Sequence, residues 1–496
     1  MGEIRLKLTR YIDAGFPIIY INTFEEEKLD EIIVSVSSGK EVYEWNVTNG
    51  YIDFETKTPV REDCTLEMML DELKQPGMLD RKIILLKDVT SYLDDPKIVS
   101  KIKGIARIIN QGEDANIIIV SNILVIPKEL EKFITILEMD YLDSAEIKQI
   151  INRFIEENGM DSIKDSLLDE LAIAFKGLTE FEINNLLALS YADDGELTKK
   201  DLRLIFEQKQ QMIKKAGILE MIPLKETVED IGGLENLKEW FVRKANVYKN
   251  MEQAEKFGVD MPKGVLIAGV PGCGKSLNAK AAASLFEVPL LRLDMGRLMG
   301  KYVGESEGNL RNAIALAEAI APCVLWIDEL EKAFAGIGES GGSAEVTTRL
   351  FGNFLTWMQE KTSPAFVVAT ANNITKLPPE LLRKGRFDEI FYVGLPNDKE
   401  REKIFQIHIK KRRPQDIGNI RFAELVKKTK GFSGADIEGV VKDAVESVFA
   451  DGKDSVKTED ILNAIQNTHS LSEIMKDALD KMKEEYEARK FKSASR

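Results

Sequence analysis

At 496 residues with a formal net charge of −15, the chain has room for roughly two to four domains and lacks the basic balance of a general nucleic-acid binder. Its composition, 44% hydrophobic and 30% charged, is ordinary for a soluble globular protein, and no apolar run approaches the ~18 residues of a membrane span. The three cysteines, Cys64, Cys273 and Cys323, show neither zinc-ligand spacing nor a disulfide framework, and Met1-Gly2-Glu3-Ile4-Arg5 lacks the apolar core of a secretory signal, so a reducing, cytoplasmic compartment is expected.

In chain order, short apolar runs at Pro17–Asn22, Lys82–Leu86 and Asn116–Val120 read as buried strands of a mainly parallel sheet within an α/β domain, residues 1–144. The period becomes helical over 145–213, with Ile147, Ile150, Ile151 and Phe154 on one helix and Leu167, Leu168, Leu171 and Phe175 on another. Residues 214–227, with Gly217 and Pro223, read as a linker. A second α/β core then spans 228–400 and a helical lid 401–496.

The second half repeats the plan of the first. Lys82–Asp88 resembles Cys323–Asp328, Asn116–Asn122 resembles Phe366–Asn372, Ile126–Leu130 resembles Leu377–Leu381, and Phe175–Thr179 resembles Thr429–Ser433. The order is shared and the offset grows slowly, with a loop insertion around Gly336–Ser343 in the second copy. Duplication accounts for this; two unrelated α/β domains are the alternative. The first copy carries no phosphate loop. After its first strand it has Asn22-Thr23-Phe24-Glu25-Glu26-Glu27, whose carboxylates repel phosphate, and it has Lys87-Asp88-Val89 where an Asp-Glu pair would serve, so it reads as a non-hydrolysing domain.

The second copy is chemically equipped. Gly269-Val270-Pro271-Gly272-Cys273-Gly274-Lys275-Ser276 fulfils G-x-x-x-x-G-K-[ST], with Gly264–Ala268 as the strand before it and an Ala-rich helical run, Asn278 to Leu285, after it. Glycines let backbone N–H groups turn toward phosphate oxygens at a helix start, with Leu277 just beyond. Lys275 is expected on the β- and γ-phosphates of a nucleoside triphosphate and the Ser276 hydroxyl on Mg²⁺. Cys273, beside Lys275, sits in a cationic setting that lowers a thiol pKa; a redox switch and a small tolerated residue are its two readings.

Val324–Glu329 is an apolar strand ending in paired carboxylates. Asp328 is expected to hold Mg²⁺ and Glu329 to orient and deprotonate the attacking water; the plain alternative is a helix N-terminus rich in Asp and Glu. Asn372, at the end of Phe366–Ala371, is placed to position that water, or is a turn residue. Arg383 and Arg386 flank Gly385 and suit a donor pair offered to another subunit's γ-phosphate, or form a solvated basic turn.

In this order the pieces resemble the AAA ATPases of the classical clade over 228–466. By that resemblance Asp230, Ile231 and Gly232 form the adenine-side entry segment, and Asn372 is the sensor-1 residue. Arg383 and Arg386 are paired arginine fingers, His408 contacts the nucleotide, and Gly434 and Ala435 in Gly431–Asp436 belong to the lid motif. Leu325–Glu329, Lys361–Pro364, Ala369–Asn373, Arg383–Phe391 and the first copy's Tyr20–Glu26 are similar to the ycf (hypothetical chloroplast reading frame) group of plastids, cyanobacteria and other bacteria, with plastid stroma as the location if plastid-encoded. Lys301, Tyr302 and Val303 resemble the central-pore loop of ring-forming translocases, where an aromatic wedges against an extended polypeptide; a tyrosine packed on the subunit surface is the alternative.

The expectation is an α/β P-loop AAA module preceded by a degenerate AAA-like domain: a Mg²⁺-dependent ATPase, active as a homo-oligomeric ring, a hexamer, acting on a protein client. The rival is an ATP-dependent assembly switch or loader that threads nothing. Leu471, Ile474, Met475, Ala478, Leu479, Met482 and Tyr486 form a stripe expected to pack on the lid, with Lys490–Arg496 frayed.

Overall fold

The computed structural model describes residues 2–23, 25–37, 39–122, 124–139, 141–224, 226–298, 305–333 and 342–496. They form two compact units, one of residues 1–172 with 178–197 and the other of 173–177 with 198–496. Lys301, Tyr302 and Val303 lie outside the described residues, as does most of the Gly336–Ser343 insertion. Among the described residues no helix is long and apolar enough to cross a membrane.

The first unit is built on strands β1 (Ile18–Asn22), β2 (Glu41–Asn46), β3 (Gly50–Asp53), β4 (Pro59–Arg61), β5 (Lys82–Lys87), β6 (Ala115–Ser121) and β7 (Ile134–Glu138), in sheet order β4-β3-β2-β5-β6-β1-β7. The five from β2 to β7 in that order are parallel, and β3 and β4 extend the edge antiparallel. Side chains alternate across a strand, so Ile84, Leu86, Ile117 and Ile119 fill one face while Ile83, Leu85, Ile118 and Val120 fill the other. A sheet covered on both faces needs unbroken apolar runs, which is the pattern in the sequence.

The second unit contains β8 (Leu219–Ile222), β9 (Gly264–Gly269), β10 (Leu290–Leu293), β11 (Cys323–Ile327), β12 (Ala365–Ala371), β13 (Glu389–Val393) and β14 (Lys492–Ser493), in order β14-β13-β9-β12-β11-β10-β8. Its central run β13-β9-β12-β11-β10 is parallel and reproduces β7-β1-β6-β5-β2 strand for strand. Within the stretch expected to be a linker, Leu219–Ile222 pairs antiparallel with β10. The helix Asp201–Ala216 belongs to this unit too, its Ile213 buried in the same core as Leu219 and Leu325.

The registers move the Asp88–Asp328 match by one residue and agree with the reading that puts Lys87-Asp88 where the second copy has its Asp-Glu pair. Lys82 pairs with Ala115 and Cys323 with Ala365, so the counterpart of Asp328 is Lys87, and that of Glu329 is Asp88. Backbone geometry agrees, since Asp88 and Glu329 both adopt left-handed φ, 58° and 51°. On the same basis Thr23 stands where the second copy has Gly269.

The lid helices Asp398–Arg412, Phe422–Lys428, Gly434–Ala450 and Thr458–Gln466 enclose their own core of Phe405, Leu425, Ile437, Val440 and Ile461. The stripe on the last helix, Lys476–Ala488, does not join it. Leu479, Met482 and Tyr486 pack into the α/β core instead, and the Tyr486 ring stacks on Tyr392 of β13 at 4.2 Å. The final residues are not frayed either. The backbone N–H of Ala494 donates to the Tyr392 carbonyl at 2.9 Å, and the Ala494 carbonyl accepts from the N–H groups of Asn236 and Leu237 at 3.0 and 3.2 Å. Ala494 is fully buried, while Lys492 pairs with Glu389 and Arg496 with Glu239. A free sheet edge and an uncapped helix start supply the partners that a charged tail does not advertise.

Candidate active site

A cavity of about 400 Å³ opens at the carboxyl ends of the second sheet's strands, where open α/β sheets bind ligands. The loop after β9 forms its floor. Gly269 has φ 145°, and a Cβ there would stand 2.1 Å from the Val393 carbonyl oxygen, so only glycine lets β13 approach. At Gly272, φ 72° turns the loop, and a Cβ would press on Ala435 and Ser433 at 3.0 and 3.1 Å. The helix Lys275–Phe286 follows, its buried alanines Ala279, Ala281, Ala282 and Ala283 letting it lie close to the sheet.

Pro271, Gly272, Cys273, Gly274, Lys275, Ser276 and Leu277 line the cavity, whereas Gly269 and Val270 do not. Those two instead offer carbonyls to the Lys275 ammonium, at 3.0 and 2.8 Å. Burial pushes the Lys275 pKa down, opposed by Cys273 and the nearby carboxylates. For Cys273 the reading as a small tolerated residue is favoured. Burial outweighs the lysine and pushes its thiol up to about 11, so it stays protonated near neutrality and is a poor redox nucleophile.

Opposite the loop, the Ser276 hydroxyl donates to Asp328 Oδ1 at 3.1 Å, and so does the Thr370 hydroxyl at 2.5 Å. Glu329 Oε1 accepts from Asn372 Nδ2 at 3.1 Å, its Oε2 pairs with Lys332 at 2.5 Å, and its backbone N–H donates to Thr370 Oγ1 at 3.0 Å. A left-handed non-glycine residue costs about 1–2 kcal/mol, and these bonds hold Glu329 there. Its neighbour Glu331 accepts from the Asn372 N–H at 3.0 Å.

The lid closes the far side. Ser433 Oγ accepts from Asp436 N–H and starts the helix Gly434–Ala450, and the Ala435 N–H donates to the Gly272 carbonyl at 2.9 Å. Asp230, Ile231, Gly232, Ile404, Ile407, His408, Gly434 and Ala435 also line the cavity, with Ile231, Ile404 and Ile407 its apolar members. Burial holds His408 below its ordinary value, with Arg412 adding to the effect and Glu438 opposing it. Arg383 and Arg386 do not line this cavity. Arg383 is exposed, and Arg386 keeps a buried Nε that meets no hydrogen-bond partner among the described residues.

Thr370 and Glu400 are among the lining residues that escaped the sequence reading. Thr370 is a lone hydroxyl in a buried apolar strand, a signal in itself. Glu400, buried on the first lid helix, accepts from the Leu234 N–H at 3.1 Å; the pattern Asn397-x-x-Glu400 marks it as a capping box and hides this second task.

The residues fit a nucleoside triphosphate with Mg²⁺. The loop and lysine suit phosphates, and the cavity's other end suits a planar base. The donor set of Ser276 hydroxyl and Asp328 carboxylate is all oxygen, as Mg²⁺ prefers. Among the described residues no group of three or more His, Cys, Asp or Glu could hold a metal alone, in keeping with an ion that shares its ligands with substrate and water.

Comparison with known proteins agrees. Residues 265–395 match the ATPase family associated with various cellular activities (AAA), and 419–463 the AAA+ lid domain. Residues 4–139 and 145–216 match the N-terminal and second domains of SpoVK-like AAA ATPases. The AAA domain-containing protein ycf46 of Guillardia theta is 39% identical over 489 residues, covering 98% of this chain and 95% of that protein. That of Pyropia yezoensis is 37% identical, covering 92% of each. The proteasome-activating nucleotidase of Saccharolobus solfataricus is 32% identical over 59% of this chain and 77% of its own. The chain belongs to the ycf46 family of AAA ATPases, and its chemistry is ATP hydrolysis.

Proposed function

We propose that this ATPase works as a ring, a hexamer, in which each ATP is held by one protomer and completed by Arg383 and Arg386 of the next, and that turnover remodels or threads a protein client. One observation carries the reading. Lys275, Ser276, Asp328, Glu329 and Asn372 converge on one cavity while both arginines stay outside it, so the chain alone offers no arginine to the γ-phosphate from that pair. A transferring phosphoryl group gains roughly 10³–10⁵ in rate from such a donor.

In this account the Lys275 ammonium leaves its two carbonyls for the β- and γ-phosphates. Ser276 and Asp328 would hold Mg²⁺, which when bound neutralises phosphate charge. Glu329, steadied by Asn372, orients the attacking water and takes its proton. Asp230, Ile231, Gly232 and His408 hold the base, and Gly434 and Ala435 carry nucleotide state into the lid. The first unit serves as a silent AAA-like layer or client adaptor. The name of the Saccharolobus relative, a proteasome-activating nucleotidase, favours a protein client over nucleic acid. The compartment is aqueous and reducing, cytoplasm or plastid stroma, in keeping with three buried free cysteines.

Light scattering on the Glu329→Gln chain with ATP and Mg²⁺ tests the assembly. The expected mass is near six chains; a species that stays at the single-chain 55.8 kDa contradicts it. Tyr302→Ala then separates threading from switching: a translocase loses client work and keeps basal hydrolysis, whereas undiminished client work contradicts threading.

A further inference from the structure

We infer that Thr370 is a positioning residue for hydrolysis, a single hydroxyl that fixes the Asp328 carboxylate and the Glu329 backbone relative to each other. The inference rests on the reading of Asp328 and Glu329 given above. Thr370 lies on β12, one strand away from both carboxylates, and is 1% exposed. A hydroxyl has one proton and two lone pairs. Here the Glu329 N–H donates to Thr370 Oγ1 at 3.0 Å, and Thr370 Oγ1 donates to Asp328 Oδ1 at 2.5 Å. The carboxylate is acceptor-only, so the chain of donation runs one way, from amide to hydroxyl to carboxylate. Each link polarises the next. Asp328 and Glu329 are adjacent in sequence but are held from outside, by the neighbouring strand.

The molecule contains its own control. In the first copy the register places Lys87 at the Asp328 position, Asp88 at that of Glu329 and Val120 at that of Thr370. Asp88 keeps the left-handed backbone, φ 58°, with no hydroxyl at position 120. The turn after the third parallel strand therefore does not require threonine. What the second copy has beyond the first is a pair of carboxylates to align, and the hydroxyl accompanies that pair. Near-attack geometry is sensitive to small displacements, so losing the tie should reduce turnover more than binding.

The test uses the full chain and three variants. Thr370→Val keeps the branched shape and removes the hydroxyl; Thr370→Ser keeps the hydroxyl and removes a methyl; Glu329→Gln reports on the underlying site. With Glu329→Gln stalled, Thr370→Val is expected to lose roughly tenfold or more in kcat, with KM and ATP affinity within about threefold. Thr370→Ser should recover most of that loss. The proposal is overturned by a Val variant with unchanged kcat, by equal losses in Val and Ser, by a loss carried in ATP affinity, or by a Val variant that no longer folds, which would make the residue part of the core. Unchanged turnover in Glu329→Gln would instead overturn the site assignment, whatever Thr370 does.

Discussion

The two sheets share strand order, parallel register and a left-handed residue after the third strand, yet their active corners carry opposite charges. In the second copy a lysine opens the helix after the first strand and an aspartate follows the third. In the first copy Glu26 opens that helix and Lys87 stands at the aspartate's position. Lys87 is buried, with Asp30 at 2.8 Å and Glu26 and Glu44 each at 3.8 Å, so its charge is satisfied internally. The connecting loop is also cut short: residues 24 and 25 alone lie between Thr23 and the helix Glu26–Val36, where the second copy has 270–274. One fold thus serves two ends. A corner that closes on its own ion pairs is a structural element, whereas the other corner leaves a lysine on two backbone carbonyls beside an open cavity.

The comparison can be broken first on its active side. Glu329→Gln removes the proposed base, and steady-state ATPase should fall by roughly 10²–10⁴-fold while filter-binding of ATP persists. On the silent side, Lys87→Ala leaves buried Glu44 with one fewer cation. Glu44 keeps Lys57 at 2.8 Å and Asp30 is partly exposed, so the loss is about 1–3 kcal/mol, to be read as faster hydrogen exchange across β1, β5 and β6. Deleting 490–496 removes β14, an element with no counterpart in the first sheet, together with the carbonyl that serves Asn236 and Leu237. A loss of about 1–3 kcal/mol is expected in denaturant unfolding of the second unit.

A further effect concerns pH. Lys209, deeply buried, has its Nζ on the Ala174 carbonyl at 2.8 Å, and burial pushes its pKa down to about 7. The unfolded chain has an ordinary lysine near ~10.4 and so binds more protons between those values. Stability therefore rises with pH from about 7 toward about 10.4 and carries the full penalty below 7. Lys361, pushed down to about 8 by burial, acts in the same direction. Lys209→Met should flatten, without abolishing, the rise of the thermal midpoint across that window.

What the sequence disclosed was local. The phosphate loop, its flanking strand and helix, and the Asp328–Glu329 pair are contiguous motifs whose chemistry depends on neighbours in the chain. Strand runs were legible because burial on both faces demands unbroken apolar stretches. Non-local facts were hidden. The sequence allows two matches, Asp88 with Asp328 or Lys87-Asp88 with the Asp-Glu pair, and the pairing of β5 with β6 selects the second. Ala494 reads as part of a charged tail until Tyr392 and the start of the helix Glu235–Lys249 are beside it. Leu219–Ile222 looks like linker because a four-residue edge strand has too few residues to show a period. Of the two readings of Cys273, the small tolerated residue is the one its burial favours, and that burial is not visible in sequence.

The central claim, one catalytic pocket built by two neighbouring protomers, is tested most directly by mixing two inactive chains. Arg386→Ala and Lys275→Ala are each expected to hydrolyse ATP at a small fraction of the parent rate. Combined, they should regain part of that rate, because some interfaces pair an intact cavity with an intact arginine. A mixture no more active than its components, or an Arg386→Ala chain that keeps full activity alone, would contradict the account.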